Sequence, residues 1–105
     1  MNEITVAELK RMMDAKENFQ LVDIREQYEL ETCTIGGENI PMGEIFDDVD
    51  RIARDKKVII MCRSGNRSGS IIQALEAREG FENLYNLKGG ILAWANEIDT
   101  TLTQY

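Results

Sequence analysis

No histidine occurs anywhere in the 105 residues. Its absence removes every serine/histidine and cysteine/histidine mechanism. With only two cysteines, Cys33 and Cys62, it also leaves no ligand set for zinc, so neither a metal nor a cofactor is expected. Two cysteines are too few for a disulfide scaffold, and they fit a reducing, cytoplasmic setting. Basic residues are in deficit, 12 against 19 acidic, for a net charge of −7. That balance argues against nucleic acid or an anionic membrane surface as partner. An anionic substrate would have to be drawn in by a local field, which screening beyond roughly 10 Å allows. No apolar run approaches the roughly 18 residues that span a bilayer. Met1 to Thr5 offers neither the basic start nor the apolar stretch of a secretory signal.

What is present fits one globular domain over residues 1–105, with 43% hydrophobic and 30% charged residues. Thr5 and Glu8 form a capping box, with Ile4 placed to staple against Leu9. Val6, Leu9, Met12 and Met13 then mark one helical face, ending near Lys16. Phe19 to Ile24 reads as a strand with Asp23 near its carboxyl end, and Arg25 to Glu31 as a brief helix carrying Tyr28 and Leu30 inward. Glu38 to Ile40 is a short strand candidate. From Gly43 onward, Ile45, Phe46, Val49, Ile52 and Ala53 are spaced as in a helix. A buried strand over 58–61, a helix stopping at Gly80, a strand over 84–87 and a helix carrying Ile91 and Trp94 complete the chain. Residues Asp99 to Tyr105 are expected to fray. The alternation of strand and helix predicts an α/β fold, a parallel sheet covered on both faces.

The most informative stretch runs from Val58 to Ser70. Its apolar start predicts a strand buried on both faces, which places Cys62 at the carboxyl end of a central strand, where open α/β sheets bind ligands. A free cysteine is often no more than a small core hydrophobe. The polar loop Arg63-Ser64-Gly65-Asn66-Arg67-Ser68 is not something a core strand would run into, and it argues for a catalytic thiolate. Gly65 permits a turn that points successive N–H groups at one spot. Arg67 offers a fixed charge to a thiolate or an oxyanion, and Ser68 a hydroxyl at the mouth of the next helix. Cysteine phosphatases use a loop one residue longer; here four residues separate Cys62 from Arg67, and the next position is Ser68.

Four segments in order then resemble the rhodanese family of sulfurtransferases, in its single-domain form. They are Leu21 to Glu26 with Tyr28-Glu29, Asn39-Ile40-Pro41, Cys62 to Ser68, and Asn86 to Gly90 with Ala93-Trp94. The resemblance covers nearly the whole chain. It implies a five-stranded parallel sheet flanked by helices on both faces, and a Cys62 that cycles between thiolate and persulfide. Cys62 and Arg67 would be catalytic. Arg63, Ser64, Gly65, Asn66 and Ser68 would surround the outer sulfur, with Arg63 favouring anionic donors. Asp23 and Arg25 would give structural support. The implied partners are a small anionic sulfur donor such as thiosulfate and an acceptor such as cyanide, a thiol or a partner protein's cysteine. Cys33 departs from the family pattern, standing where histidine is usual, as a packing substitute or a second thiol.

Two other readings stay open: a sulfur-carrying or binding module without turnover, and a cysteine phosphatase or arsenate reductase. Trp94 and Tyr85 are read as packing residues, and Gly89-Gly90 as a helix-entry turn, since no GxGxxG or Walker lysine accompanies it. Glu29, Glu31, Asp47, Asp48 and Asp50 are read as solvated helix faces.

Overall fold

The buried run Val58–Met61 does form a central strand. The computed structural model describes residues 1–105. Its elements in chain order are β1 (Asn2–Ile4), α1 (Val6–Asp14), β2 (Phe19–Asp23), α2 (Gln27–Thr32), β3 (Glu38–Asn39), β4 (Lys57–Met61), α3 (Asn66–Glu79), β5 (Leu84–Leu87) and α4 (Gly90–Glu97). One five-stranded sheet has the order β1-β5-β4-β2-β3, and every pairing is parallel. β4 is paired along both edges, in register Val22↔Ile60 with β2 and Ile60↔Asn86 with β5.

Side chains of a strand alternate between faces, and this parity builds two cores. Val58, Ile60 and Cys62 join Val22 and Ile24 on one face, packed against Ile71, Ile72 and Leu75 of α3 and against Ile45 and Ile52. Ile59 and Met61 join Leu21 and Leu87 on the other, packed against Val6, Leu9 and Met12 of α1 and Ile91 and Trp94 of α4. Parity therefore sends the Cys62 side chain to the α3 face, where the first turn of that helix begins four residues later. Cys33 lies in the opposite core, and both cysteines are free. No helix is long and apolar enough to cross a membrane.

Several local expectations are corrected. Asn2–Ile4 is a strand, paired with Tyr85–Leu87, and supplies the fifth strand that side-chain pattern alone did not reveal. Where a helix is expected from Gly43 onward, the chain forms two single 3-10 turns, Met42–Glu44 and Val49–Arg51, with Ile45 and Ile52 buried. Gly43 and the Asp47-Asp48 pair are poor helix formers, so the apolar spacing is met by turns. In α2 the inward residue is Glu29, while Tyr28 is 70% exposed. The last residues do not fray: Leu102 and Tyr105 pack against the second core.

Asp23 and Arg25 pair at this end of the sheet. The Asp23 carboxylate accepts from the Arg25 N–H at 3.0 Å, from Nε at 3.1 Å and from Nη2 at 2.8 Å, with both side chains out of contact with solvent. Arg25 also donates to the carbonyls of Glu29, inside α2, and of Cys33, its C-cap, tying that helix to the end of β2. Breaking a buried pair from one side leaves an uncompensated charge. Asp23→Ala is therefore expected to cost about 3 kcal/mol or more of folding stability, measured from the denaturant midpoint. A loss under about 1 kcal/mol, the scale of an exposed ion pair, would contradict this role.

Candidate active site

The site starts where β4 ends. Gly65 is the N-cap of α3, with φ +100°, a left-handed conformation that glycine adopts freely. The turn brings the Gly65 N–H to 3.1 Å and the Ser68 N–H to 3.4 Å from Cys62 Sγ. These are unpaired donors of a helix start, spent on one sulfur. Ser68 Oγ lies 3.3 Å from the same atom.

A second helix start holds the other side of the loop. The Ile91 N–H donates to the Cys62 carbonyl at 3.0 Å, and the Leu92 N–H to the Arg63 carbonyl at 3.1 Å. All peptides are trans, so turning these two carbonyls onto α4 turns the N–H groups of Arg63 and Ser64 the opposite way. The approach is close enough to require glycine at position 90. A Cβ there would lie 2.5 Å from both carbonyl oxygens. Gly89-Gly90 is thus a helix entry, as read from sequence, and also the clamp on the cysteine loop.

The electrostatics follow from this packing. Burial, the largest single influence, pushes the Cys62 thiol up, but the Ser68 hydroxyl and the N–H groups of Ser68, Gly65 and Ser64 together outweigh it. The result is a thiol held below its ordinary range with no arginine among the leading causes. Ser68 has one hydroxyl proton for two acceptors, because Oγ also donates to Asn86 Oδ1 at 2.5 Å. With the proton on Asn86, the thiol donates to Ser68; on ionisation the hydroxyl can turn to the sulfur. Asn86 is fixed for this exchange by its amide, which donates to the Gly65 carbonyl at 3.1 Å.

Arg67 faces a partner the sequence reading had placed in solvent. Its guanidinium grips Glu29 in a two-pronged pair at 2.8 and 2.9 Å, and Glu29 is only 5% exposed. Arg67, with half-buried Tyr105 and the Glu26 N–H beside it, holds the Glu29 carboxyl down at about 2 against the pull of burial. The Tyr105 hydroxyl donates to Glu29 at 3.0 Å and accepts from Arg25 at 2.9 Å. Ser64 and Asn66 are exposed at the rim, and Arg63 and Gly65 are half-buried. Cys62 itself has no solvent contact, so a reactant must displace part of the loop to reach it. No three Cys, Asp or Glu side chains come together as a metal site would require.

The sequence alone singles out the loop; it gives Glu29 and Asn86 only as members of motifs, with Glu29 read as solvated, and Tyr105 only as part of a fraying tail. The available signal for Glu29 was its place three residues after Glu26, where the two close a capping box around α2. Nothing in the sequence pointed to Tyr105.

Two measurements test the site. Ser68→Ala removes the hydroxyl donor and should move the Cys62 titration upward, read from the pH dependence of iodoacetamide alkylation; an unmoved curve would leave the hydroxyl without influence. Glu29 sits below its ordinary value of 4.5, so its pairing stabilises the fold fully above about pH 4.5 and the effect is lost as pH falls toward 2. Glu29→Gln should accordingly be less stable than wild type at neutral pH, with the gap closing across that acid window in thermal melts.

Comparison with known proteins agrees with this architecture. The family model for the rhodanese-like domain matches residues 5–97. The Bacillus subtilis protein named "Putative sulfurtransferase YtwF" is 35% identical over 98 residues, covering 92% of this chain and 93% of its own length. A second Bacillus subtilis protein, named "Putative sulfur carrier protein YrkF", is 28% identical over 92% of this chain, which spans only 52% of that protein. The crystal structure of a rhodanese-like domain protein from Staphylococcus aureus matches with a TM-score of 0.81 and 29% identity, covering 100% of this chain and 99% of that one.

Proposed function

The chain belongs to the rhodanese-like domain family, and from that premise we propose that it is a sulfurtransferase working through a Cys62 persulfide. The observation that carries this reading is the ring of N–H groups facing Cys62 Sγ, which stabilises an anion there without imidazole or metal. In the first half-reaction the Cys62 thiolate attacks the outer sulfur of a donor such as thiosulfate. The donor's S–S bond breaks, sulfite leaves with the electron pair, and a persulfide remains on Cys62. In the second, an acceptor such as cyanide or a partner protein's thiolate attacks the outer sulfur, and the Cys62 thiolate is released. Such double displacement gives ping-pong kinetics.

The residues divide the work. Ser64, Gly65, Asn66 and Ser68 supply the turn and donors around the outer sulfur. Arg67, locked to Glu29, fixes the first turn of α3 that carries the Ser68 N–H, and its charge lies close enough to feel the Cys62 thiolate. Arg63 supplies the cation for an anionic donor. Asp23 and Arg25 hold the platform beneath them.

A sulfur-carrier role without small-molecule turnover is the second reading. The sealed position of Cys62 favours it, because a docked protein is better placed than a small anion to open the loop. Incubation with thiosulfate followed by intact-mass measurement tests the shared chemistry: wild type should gain one sulfur atom and Cys62→Ser none. Cyanide should then release that sulfur as thiocyanate if the domain turns over by itself, whereas a persulfide stable to cyanide supports the carrier. Arg67→Ala should stay folded and lose about tenfold or more in turnover, the scale of one misplaced positioning group. A Cys62→Ser protein that still gains sulfur would falsify the assignment.

A further inference from the structure

The ion pairs of the molecule leave one arginine of the site unclaimed. Arg67 is neutralised by Glu29 and Arg25 by Asp23, while Arg63 pairs with no carboxylate. Its guanidinium instead lies 5.0 Å from the centre of the Tyr105 ring, within the range of a cation–π contact. The same tyrosine is anchored by its hydroxyl to Glu29 and Arg25, and its ring packs against the second core. Arg63, next to the nucleophile and paired with no carboxylate, is a local cation free to attract an anion in a protein of net charge −7. Left in solvent it would sample many rotamers and spread that charge; a fixed aromatic face confines it.

We propose that Tyr105 is a positioning residue that holds Arg63 beside the cysteine ring and thereby sets a preference for anionic over neutral sulfur donors. The proposal rests on the sulfur-transfer reading for its substrate class, but its geometry stands apart from turnover. The part played by the ring is to restrain the cation. Packing against the second core keeps the ring in place, and the hydroxyl adds its contacts to Glu29 and Arg25. A phenyl ring packed against the same core should therefore retain most of the effect, and an aliphatic side chain should not.

Iodoacetate and iodoacetamide are nearly equal in size and differ in charge, so the ratio of their rates at Cys62 reads the local field while the cost of opening the loop cancels. Peptide mass mapping assigns the alkylated residue. Tyr105→Leu should lower the iodoacetate-to-iodoacetamide ratio by about three- to tenfold, the scale of one partly screened charge. Tyr105→Phe should keep most of the wild-type ratio, and Tyr105→Leu should add nothing in an Arg63→Gln background. With thiosulfate, KM should rise by the same factor while kcat stays within about twofold.

An unchanged ratio in Tyr105→Leu overturns the proposal. So does a Tyr105→Phe loss as large as that of leucine, a multiplicative loss in the double variant, or a Cys62 that neither reagent reaches. Should the leucine variant unfold, the wild-type protein still decides, since Arg63 side-chain protons must show an upfield ring-current shift and cross-peaks to Tyr105. If the ratios behave as stated while wild type transfers no sulfur, the functional reading fails and the positioning role stands.

Discussion

Two carbonyl groups, those of Cys62 and Arg63, are turned away from the sulfur and onto the first N–H groups of α4. The site depends on this orientation. A peptide unit has one donor and one acceptor on opposite sides, so a loop can surround an anion with N–H groups only if something else takes its carbonyls. Here the unpaired donors of one helix start take them, and the unpaired donors of a second, at Gly65 and Ser68, face the sulfur. The two helices lie on opposite faces of the sheet, so the loop is gripped from both. Gly90 is what allows the grip, since any side chain there would collide with both carbonyl oxygens.

Charge is handled with the same economy. An acidic domain has no excess of cations to spend on an anion site, and two of the three arginines around the loop are committed to carboxylates. The Asp23–Arg25 pair is fully enclosed, and its remaining donors hold the carbonyls of Glu29 and Cys33. The Glu29–Arg67 pair links α2 to the first turn of α3. These pairs fix backbone more than they supply field, in keeping with a Cys62 ionisation governed by the amides and a hydroxyl. Tyr105 joins both pairs, so the final packed residue reports on the whole cluster.

Most of this architecture was legible because parallel strands buried on both faces leave a plain trace. Val58–Met61 shows the apolar run, and Gly80 shows its helix stop. Asn2–Ile4 was not legible: a three-residue edge strand whose first two residues are exposed carries no alternation, and its place is fixed by pairing with β5. The segment after Gly43 misled because an apolar spacing near three or four residues fits a helix and successive tight turns alike. Glu29 misled for a different reason. A carboxylate reads as solvated unless its partner is known, and Arg67 is 38 residues away in sequence. The loop was readable as chemistry because its residues are contiguous; the network that orients it was not, because it joins α2, α3, β5 and Tyr105 across the fold.

The burial of Cys62 bears on how such a loop can work at all. A thiol sealed from water is ordinarily harder to ionise, and here that influence is the largest of those acting on it. The surrounding donors overcome it because the amides are already aimed and the Ser68 hydroxyl has only to turn. The same seal that raises the cost of ionisation keeps solvent hydrogen bonds from competing with the ring, so each amide is worth more to the sulfur than it would be in an open cleft. Enclosure and donor number are thus linked. A looser loop would need fewer amides to ionise its thiol, and would hold the resulting anion less firmly.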